Sequence, residues 1–326
     1  MSDHKVSILA NPEGNAWEYA EEIFNYLNKK DDCYELNRVI IESFRNGEIK
    51  PKIEDNIRDR KCFFIHDSTL DPNKWLAQLS LINETMHNSS SYNITDILPM
   101  YLFARQDRKD DSRVPKSAKV VADIAQKYGN RLMTLDIHCP QIELAFDTPF
   151  ENLPSYPVVS SYLKKNHPKI LDDLVIMSPD EGGVKRAVAF GKYLQNNELV
   201  VAYKIKDKNG KIIDLRILGD VKDRKVMMID DIVDSGNTLI TAARRARDLG
   251  ASEVYAYATH GLFTEGSDKV TREFDKFFVG DTFKQKQGIN AEIIKLPLFI
   301  GEAIYRNITG LSLSEMFRYD FVFDAV

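Results

Sequence analysis

The chain of 326 residues contains little cysteine and no long apolar run. Its three cysteines, Cys33, Cys62 and Cys139, form no disulfide framework and lack the spacing of metal ligands, which favours a reducing compartment. No stretch approaches the ~20 apolar residues of a membrane-spanning helix. The first ten residues are too polar for a secretory signal and lead into a strand pattern. We therefore expect a soluble, cytoplasmic protein.

A large excess of positive charge is missing as well. The formal net charge of −5 argues against bulk electrostatic binding to nucleic acid or to an anionic membrane. Basic residues nevertheless cluster in residues 105–119 and 204–211, a distribution that suits a small polyanion. A hydrophobic content of 43% and a charged content of 29% are typical of a globular protein, and the length predicts two domains.

Short apolar runs alternate with amphipathic stretches through both halves of the chain. This alternation predicts two α/β domains, each a mostly parallel sheet flanked by helices and built with right-handed crossovers. Prolines at 149, 154 and 157 lie in a stretch with little periodicity, so we place the domains at residues 1–155 and 156–326. The clearest predicted strands are Val6–Ala10, Cys62–Ile65, Thr95–Phe103, Arg131–Leu135, Leu174–Met177, Leu199–Lys204 and Val226–Ile229.

The stretch from Val226 to Gly250 carries the strongest functional signal. A buried strand, Val226–Ile229, is followed by two acids, then by a small polar loop, and from Thr238 by a helical period. The backbone N–H groups at such a helix start bind phosphate, and neighbouring acids can hold ribose hydroxyls or magnesium. An ordinary helix cap needs one acid or hydroxyl, whereas this stretch has seven polar or small residues of the required kind: Asp230, Asp231, Asp234, Ser235, Gly236, Asn237 and Thr238.

Further polar clusters follow other predicted strands, where an α/β sheet places its ligands. After Leu174–Met177 comes a Gly-Gly turn at the start of a helix, with an acid before it and two bases after it. Charged residues follow Thr95–Phe103, and a single histidine follows Arg131–Leu135. These candidates are Asp180, Gly182, Gly183, Lys185, Arg186, Arg105, Gln106, Asp107 and His138. The polar turn at Phe44–Glu48 reads, on residue pattern alone, as a loop whose aromatic packs against the core.

These motifs, taken together, resemble the ribose-phosphate pyrophosphokinase family, also called 5-phosphoribosyl-pyrophosphate (PRPP) synthetases. The resemblance extends from about Phe44 to Phe317 and rests on motifs in the family's order and spacing: FARQDRKDDSR, TLDIHCPQI, SPDEGGVKR, GDVKDRKVMMIDDIVDSGNT and THGLF. The loop at Asp234–Thr238 by itself resembles the PRPP loop of the wider phosphoribosyltransferase fold.

The resemblance implies a reaction and a role for each cluster. The family transfers a pyrophosphoryl group from ATP to the 1-hydroxyl of ribose 5-phosphate, with Mg²⁺, and releases AMP. By resemblance, Asp234–Thr238 would bind the 5-phosphate, Asp230 and Asp231 the ribose hydroxyls, and Asp180–Arg186 the pyrophosphate. The ATP site would be formed by Phe44, Asn46 and Glu48, reaching into a neighbouring subunit, and by Arg105, Gln106 and Asp107. His138 and Asp180 would meet magnesium and the ATP phosphates.

Further implications concern catalysis and assembly. A catalytic loop after the strand at residues 199–203 would supply Lys204 and Lys206, although the family usually has arginine at the position of Lys206. Asn237 and Glu181 also depart from the family pattern, which usually has small residues there. Ser312 and Ser314 resemble a regulatory phosphate or ADP site, and equally fit ordinary turn hydroxyls. The family forms homo-oligomers built from dimers, commonly hexamers.

Two other functions remain open on the sequence. A phosphoribosyltransferase that consumes PRPP would also use the loop at Asp234–Thr238, but it predicts one such domain with a base-binding hood. A non-catalytic regulatory subunit of a true synthetase should have lost its acids or its loop lysine, and Asp231, Asp180 and Lys204 are all present.

Overall fold

The computed structural model describes residues 5–206, 212–321 and 323. It forms two compact units, Met1–Pro154 with Pro297–Leu313, and Ser155–Leu296 with Ser314–Val326. Each unit contains a seven-stranded, mostly parallel sheet with helices, which confirms the predicted fold class. Among the described residues, no helix combines the length and the apolar character needed to cross a membrane. The three cysteines form no disulfide.

The first unit alternates strands and helices from its beginning. Its strands are β1 (Val6–Ala10), β2 (Tyr34–Ser43), β3 (Ile49–Ile53), β4 (Lys61–Ile65), β5 (Asn93–Leu98), β6 (Arg131–Leu135) and β7 (Phe150–Leu153). Its helices are α1 (Ala16–Asn28), α2 (Pro72–Asn88) and α3 (Ser117–Tyr128), with a 3₁₀ helix at Pro140–Ala145. Every residue of β1 is buried, including Ser7, as expected of a central parallel strand whose sequence is mostly apolar.

The second unit repeats this plan. Its strands are β8 (Leu174–Ser178), β9 (Leu199–Lys206), β10 (Ile212–Leu218), β11 (Lys225–Val233), β12 (Glu253–Gly261), β13 (Lys276–Gly280) and β14 (Glu292–Ile294). Its helices are α4 (Tyr156–Asn166), α5 (Val184–Tyr193), α6 (Asn237–Asp248) and α7 (Ser267–Thr271), with 3₁₀ helices at Pro168–Leu171 and Ser314–Phe317.

The two sheets have the same strand order. It is β3-β2-β1-β4-β5-β6-β7 in the first unit and β10-β9-β8-β11-β12-β13-β14 in the second, and in each an antiparallel hairpin supplies the first two strands of that order. The direction of strand succession reverses between β1 and β4, and between β8 and β11. Ligands of open α/β sheets bind outside the carboxyl ends of the strands at such a switch point. In the second sheet, that place is occupied by the residues after β8 and at the end of β11.

Some elements differ from their prediction. The predicted strand Thr95–Phe103 ends at Leu98, because Pro99 cannot donate to a sheet ladder and Phe103 has a φ of +66°. The predicted strand Val226–Ile229 continues to Val233, so that the acid pair lies within β11, where Asp230 pairs with Ala258 of β12. The edge strand β3 was not predicted, since its charged residues give no apolar run.

The last helix, α8 (Pro297–Thr309), belongs to the first unit although it follows the second in sequence. It packs on α1 through Glu302, whose carboxylate accepts hydrogen bonds from the Tyr26 hydroxyl at 2.6 Å and the Lys30 amine at 2.9 Å. Burial alone would raise the pKa of Glu302, but these bonds and one from Arg306 outweigh it and lower the pKa. A paired, buried acid therefore fixes the helix to α1.

Candidate functional site

The acid pair of the second unit lies at the carboxyl end of β11. Burial alternates from Asp230 to Val233, as the side chains of a strand point alternately to its two faces. The Asp231 side chain is 3% exposed and the Asp230 side chain is 20% exposed. Two carboxylates adjacent in sequence are thus largely removed from water at the sheet's switch point.

One arginine contacts both acids. From the first turn of α5, Arg186 places Nη1 3.1 Å from Asp230 Oδ1 and Nη2 3.1 Å from Asp231 Oδ1. Burial and then the charge of Asp231 raise the pKa of Asp230 well above its usual range, and the Arg186 guanidinium acts in the opposite direction. The resemblance implied that Arg186 binds the pyrophosphate, whereas the structure places its side chain against the acid pair.

The predicted phosphate loop joins β11 to α6. Gly236 has a φ of +75° and precedes Asn237, the first residue of α6. A Cβ on Gly236 would lie 2.3 Å from Val270 Cγ2, so this position requires glycine for both conformation and space. Among the described residues, no side chain caps the start of α6. The N–H groups of its first turn are therefore suited to bind an anion.

A second segment, residues 264–270 after β12, holds this loop in place. Thr264 donates its hydroxyl to the Asp234 carboxylate and its N–H to the Asp234 carbonyl. The Lys269 amine donates to the Asn237 side chain at 2.7 Å and pairs with Glu265 at 2.6 Å. Sequence reasoning missed these residues, although they follow the strand next to β11, where a site is expected.

The segment after β8 and the end of β9 meet beside the loop. The N–H of Gly183 donates to Asp180 Oδ1 at 3.2 Å, and a Cβ on Gly183 would approach Ser178 Oγ to 2.8 Å. The Lys204 amine is 3.5 Å from Asp180 Oδ2 and 3.3 Å from Thr238 Oγ1. The Lys204 N–H also donates to Glu181 Oε1 at 3.4 Å. Lys204 therefore joins the predicted pyrophosphate segment to the predicted phosphate loop.

The other predicted residues of this unit are exposed, partly buried or outside the described part of the chain. Gly182 and Lys185 are exposed, and Ser235 is partly buried. The predicted strand Leu199–Lys204 continues to Lys206, so that Lys204 and Lys206 lie within β9 and not in a loop after it. The side chain of Lys206 lies outside the described part of the chain. Ser314 is exposed at the start of the last 3₁₀ helix.

In the first unit, the turn at Phe44–Glu48 connects β2 to β3. The Phe44 N–H donates to the Glu48 carbonyl at 2.7 Å, and the Asn46 side chain accepts the Glu48 N–H at 3.2 Å. The Phe44 side chain is 55% exposed, so the alternative that it packs against the core is wrong. A hairpin tip thus presents an aromatic ring to solvent.

The loops after β5 and β6 come together in the same unit. The Asp107 carboxylate lies next to Cys139, the residue after His138. Burial raises the pKa of the Cys139 thiol, and so does its hydrogen bond with Asp107. His138 and Arg105 are exposed. Ser117 donates to the Gln106 side chain, and the Gln106 carbonyl accepts the Ala118 N–H at 3.2 Å, so Gln106 also supports the start of α3.

Ser312, a candidate regulatory residue, is exposed, and its carbonyl accepts a hydrogen bond from Arg306.

The donor set of the second unit fits magnesium. Mg²⁺ is usually held by one or two carboxylates together with water and substrate phosphates, and it needs no protein cage. The described residues contain no group of three or more His, Cys, Asp or Glu side chains arranged as such a cage. The Asp180 side chain is 37% exposed at the sheet edge, which leaves its carboxylate accessible to a hydrated cation.

Comparison with protein families finds two matches. Residues 13–129 match the N-terminal domain of ribose phosphate pyrophosphokinase. Residues 192–318 match the phosphoribosyl synthetase-associated domain. The two matches fall in both units and include the turn at Phe44–Glu48, Arg105–Asp107 and the loop at Asp234–Thr238, whereas residues 130–191 lie outside them.

Individual relatives match over most of their length. The chain is 35% identical to the ribose-phosphate pyrophosphokinase of Aquifex aeolicus over 96% of this chain and 99% of that protein. It is 37% identical to the ribose-phosphate pyrophosphokinase of Chlorobaculum tepidum over 85% and 86%, respectively. The crystal structure of the phosphoribosylpyrophosphate synthetase of Mycobacterium smegmatis superposes with a TM-score of 0.81 at 25% identity, covering 94% of this chain and 99% of that one.

Proposed function

Because the chain belongs to the ribose-phosphate pyrophosphokinase family, we propose that it converts ATP and ribose 5-phosphate to AMP and PRPP. The observation that best supports this reaction lies in the second unit. There Lys204 reaches both Asp180 and Thr238, so a cation connects the segment expected to bind pyrophosphate with the loop expected to bind the sugar phosphate. A one-domain phosphoribosyltransferase would leave the matched first unit without a role.

The reaction is a single displacement. The oxygen of the ribose 1-hydroxyl forms a bond to the β-phosphorus of ATP, and the hydroxyl proton is lost to water. The bond from that phosphorus to the oxygen bridging the α- and β-phosphates breaks, and AMP leaves with that oxygen. Such transfers depend on in-line positioning and on cations near the developing charge rather than on covalent catalysis.

Each cluster has a role in this proposal. The N–H groups at the start of α6, with Ser235 and Thr238, hold the 5-phosphate, and the acid pair accepts the ribose hydroxyls. Lys204 and Lys206 bring positive charge close to the transferred pyrophosphoryl group. The ATP side is formed by Phe44, Asn46, Glu48, Arg105, Gln106 and Asp107. Subunit assembly, a cytoplasmic location and regulation through Ser312 and Ser314 stay predictions.

Magnesium would be held by Asp180 together with the phosphates of ATP, and a role of His138 in binding the metal stays a prediction. When bound, it neutralises phosphate charge and orients the phosphates for attack. Asp180 also accepts the Gly183 N–H, which orients its carboxylate.

Phosphorus NMR of the purified protein with Mg²⁺, ATP and ribose 5-phosphate tests the reaction directly. We expect AMP and a pyrophosphoryl-ribose signal to appear in equal amounts. If ATP stays intact, the proposal fails, and PRPP with purine or pyrimidine bases should then be added. Nucleotide formation in that mixture would identify a phosphoribosyltransferase, and no reaction would leave the regulatory subunit.

Lys204→Ala should lower kcat by about 100-fold or more, because one cation facing developing charge is lost, while the KM for ATP changes less than about threefold. Lys222→Ala is a matched control, since this exposed lysine precedes the amino end of β11. Initial rates at varied ATP measure both constants. Unchanged turnover of Lys204→Ala would remove Lys204 from the catalytic machinery.

A further inference from the structure

Arg186 occupies a position that the expected pyrophosphate role does not explain. Its guanidinium bridges the carboxylates of Asp230 and Asp231 through two different nitrogens, each 3.1 Å from its partner oxygen. The side chain is only 14% exposed, so these contacts are largely shielded from water. The Arg186 side chain is therefore bound to the two carboxylates of the acid pair.

The chemistry of the pair explains why arginine is suited to this position. Two adjacent carboxylates with little exposure repel one another and are costly to keep without a cation. A planar guanidinium can donate to two acceptors at once in a fixed geometry, whereas a lysine amine is a point charge on a flexible stem. Arg186 therefore fixes the orientation of both carboxylates with one rigid group.

The neighbouring residue offers a contrast. Lys185 stands one position earlier on α5 and is exposed. Successive helix residues point about 100° apart, so the two bases of this turn have different surroundings. Lys185 is the base that remains available for an anionic ligand at the start of α5.

We infer that Arg186 is a positioning residue that orients Asp230 and Asp231 to receive the hydroxyls of ribose 5-phosphate, and that it does not serve as a counter-charge for the pyrophosphate. This inference rests on the proposed function and concerns the sugar phosphate half of the same site. It predicts that the affinity for ribose 5-phosphate depends on Arg186 and that the affinity for ATP does not.

The test separates the two Michaelis constants in Arg186→Lys and Arg186→Gln. Arg186→Lys keeps the charge and loses the fork. We expect the KM for ribose 5-phosphate to rise about tenfold in Arg186→Lys and further in Arg186→Gln, while the KM for ATP stays within about twofold. A rise in the KM for ATP with an unchanged KM for ribose 5-phosphate would overturn the inference, as would two unchanged constants.

Lys185→Gln is the matched control, because it removes a charge one residue away that does not touch the acid pair. We expect it to leave the KM for ribose 5-phosphate within about twofold of the wild type. If it raises that constant as much as Arg186→Gln, the effect is general loss of positive charge and the inference fails. Thermal unfolding of each variant shows whether the fold is kept.

A binding measurement serves variants that are too slow to assay. Calorimetric titration of ribose 5-phosphate into protein with Mg²⁺ and α,β-methylene-ATP should show weaker binding in Arg186→Lys, and wild-type affinity there would contradict the inference. If the wild type forms no AMP from ATP, the proposed function fails. The titration then still decides whether sugar phosphate binding depends on Arg186.

Discussion

At the scale of single residues, the predicted phosphate loop depends on which residue takes the left-handed conformation. The resemblance implies a small residue at position 237, and the tolerance of Asn237 for left-handed geometry was the reason to expect that the loop still forms. The positive φ falls instead on Gly236, and Asn237 opens α6. The departure at Asn237 therefore places no strain on the backbone.

Gly236→Ala should lower the free energy of unfolding by at least about 2 kcal/mol, through backbone strain and a clash with Val270, and should weaken ribose 5-phosphate binding. Gly310→Ala is the control, because its φ of +73° is nearly the same and a Cβ there meets nothing within 4 Å. Gly310→Ala should lower the free energy of unfolding by about 1 kcal/mol, through backbone strain alone. Denaturant unfolding and the KM for ribose 5-phosphate measure the two effects, and equal losses would contradict the clash.

At the scale of elements, the site is built by segments that follow neighbouring strands. The loop after β11 is held by residues 264–270, which follow β12, and Lys204 at the end of β9 closes onto it. The carboxyl ends of parallel strands lie at one edge of a sheet, so side chains distant in sequence become neighbours there.

The contact between Lys269 and Asn237 should be measurable as a coupling. Lys269→Met and Asn237→Ala should each raise the KM for ribose 5-phosphate, and the double variant should be little worse than either, a coupling of about 0.5–1 kcal/mol. Glu265→Gln removes the other partner of Lys269 and is the control. Additive effects in the double variant would show that the contact does not hold the loop.

A second cluster joins α4, β13 and β14. Glu292 accepts hydrogen bonds from His167 and from Lys276, both at 2.7 Å, and from Tyr162. Burial alone would raise the pKa of Glu292, but these bonds outweigh it and lower the pKa to about 2. The cluster stabilises this part of the second unit only while Glu292 is ionised.

The sign of its pH dependence follows from the lowered pKa. The stabilisation is complete above the ordinary pKa of 4.5 and is lost as the pH falls towards 2. Glu292→Gln should therefore be less stable than the wild type at pH 6, and the difference should shrink between pH 5 and pH 3. Denaturant unfolding at several pH values measures it, and a difference that does not depend on pH would contradict the assignment.

At the scale of the whole molecule, one strand order occurs twice but only the second unit carries the acid pair. At the corresponding place of the first unit, the Asp67 carboxylate accepts the Asn15 N–H at 2.8 Å and the Thr69 N–H at 2.9 Å. A side chain of the protein thus satisfies backbone donors that could otherwise bind an anion. The two sheets therefore share a strand order while different residues occupy their switch points.

If the turn at Phe44–Glu48 serves a neighbouring subunit's site, defective subunits should complement one another. Phe44→Ala and Asp231→Asn should each be nearly inactive, and subunits exchanged at random should regain up to about a quarter of wild-type activity, since half of the dimers are mixed and each has one intact site. Assay of the mixture against each variant alone measures this. No recovery after proven exchange would place the turn in its own subunit's site.

The sequence by itself determined the fold class, the central strands and the polar residues that follow them, because apolar runs and short motifs are local in the chain. β1 and β6 have the predicted bounds. The tertiary structure decided what the sequence could not: that Arg186 lies on the acid pair, that Lys269 reaches Asn237, and that α8 returns to the first unit. Each of these joins residues far apart in the chain, and side-chain contacts at such separation leave no periodic signal.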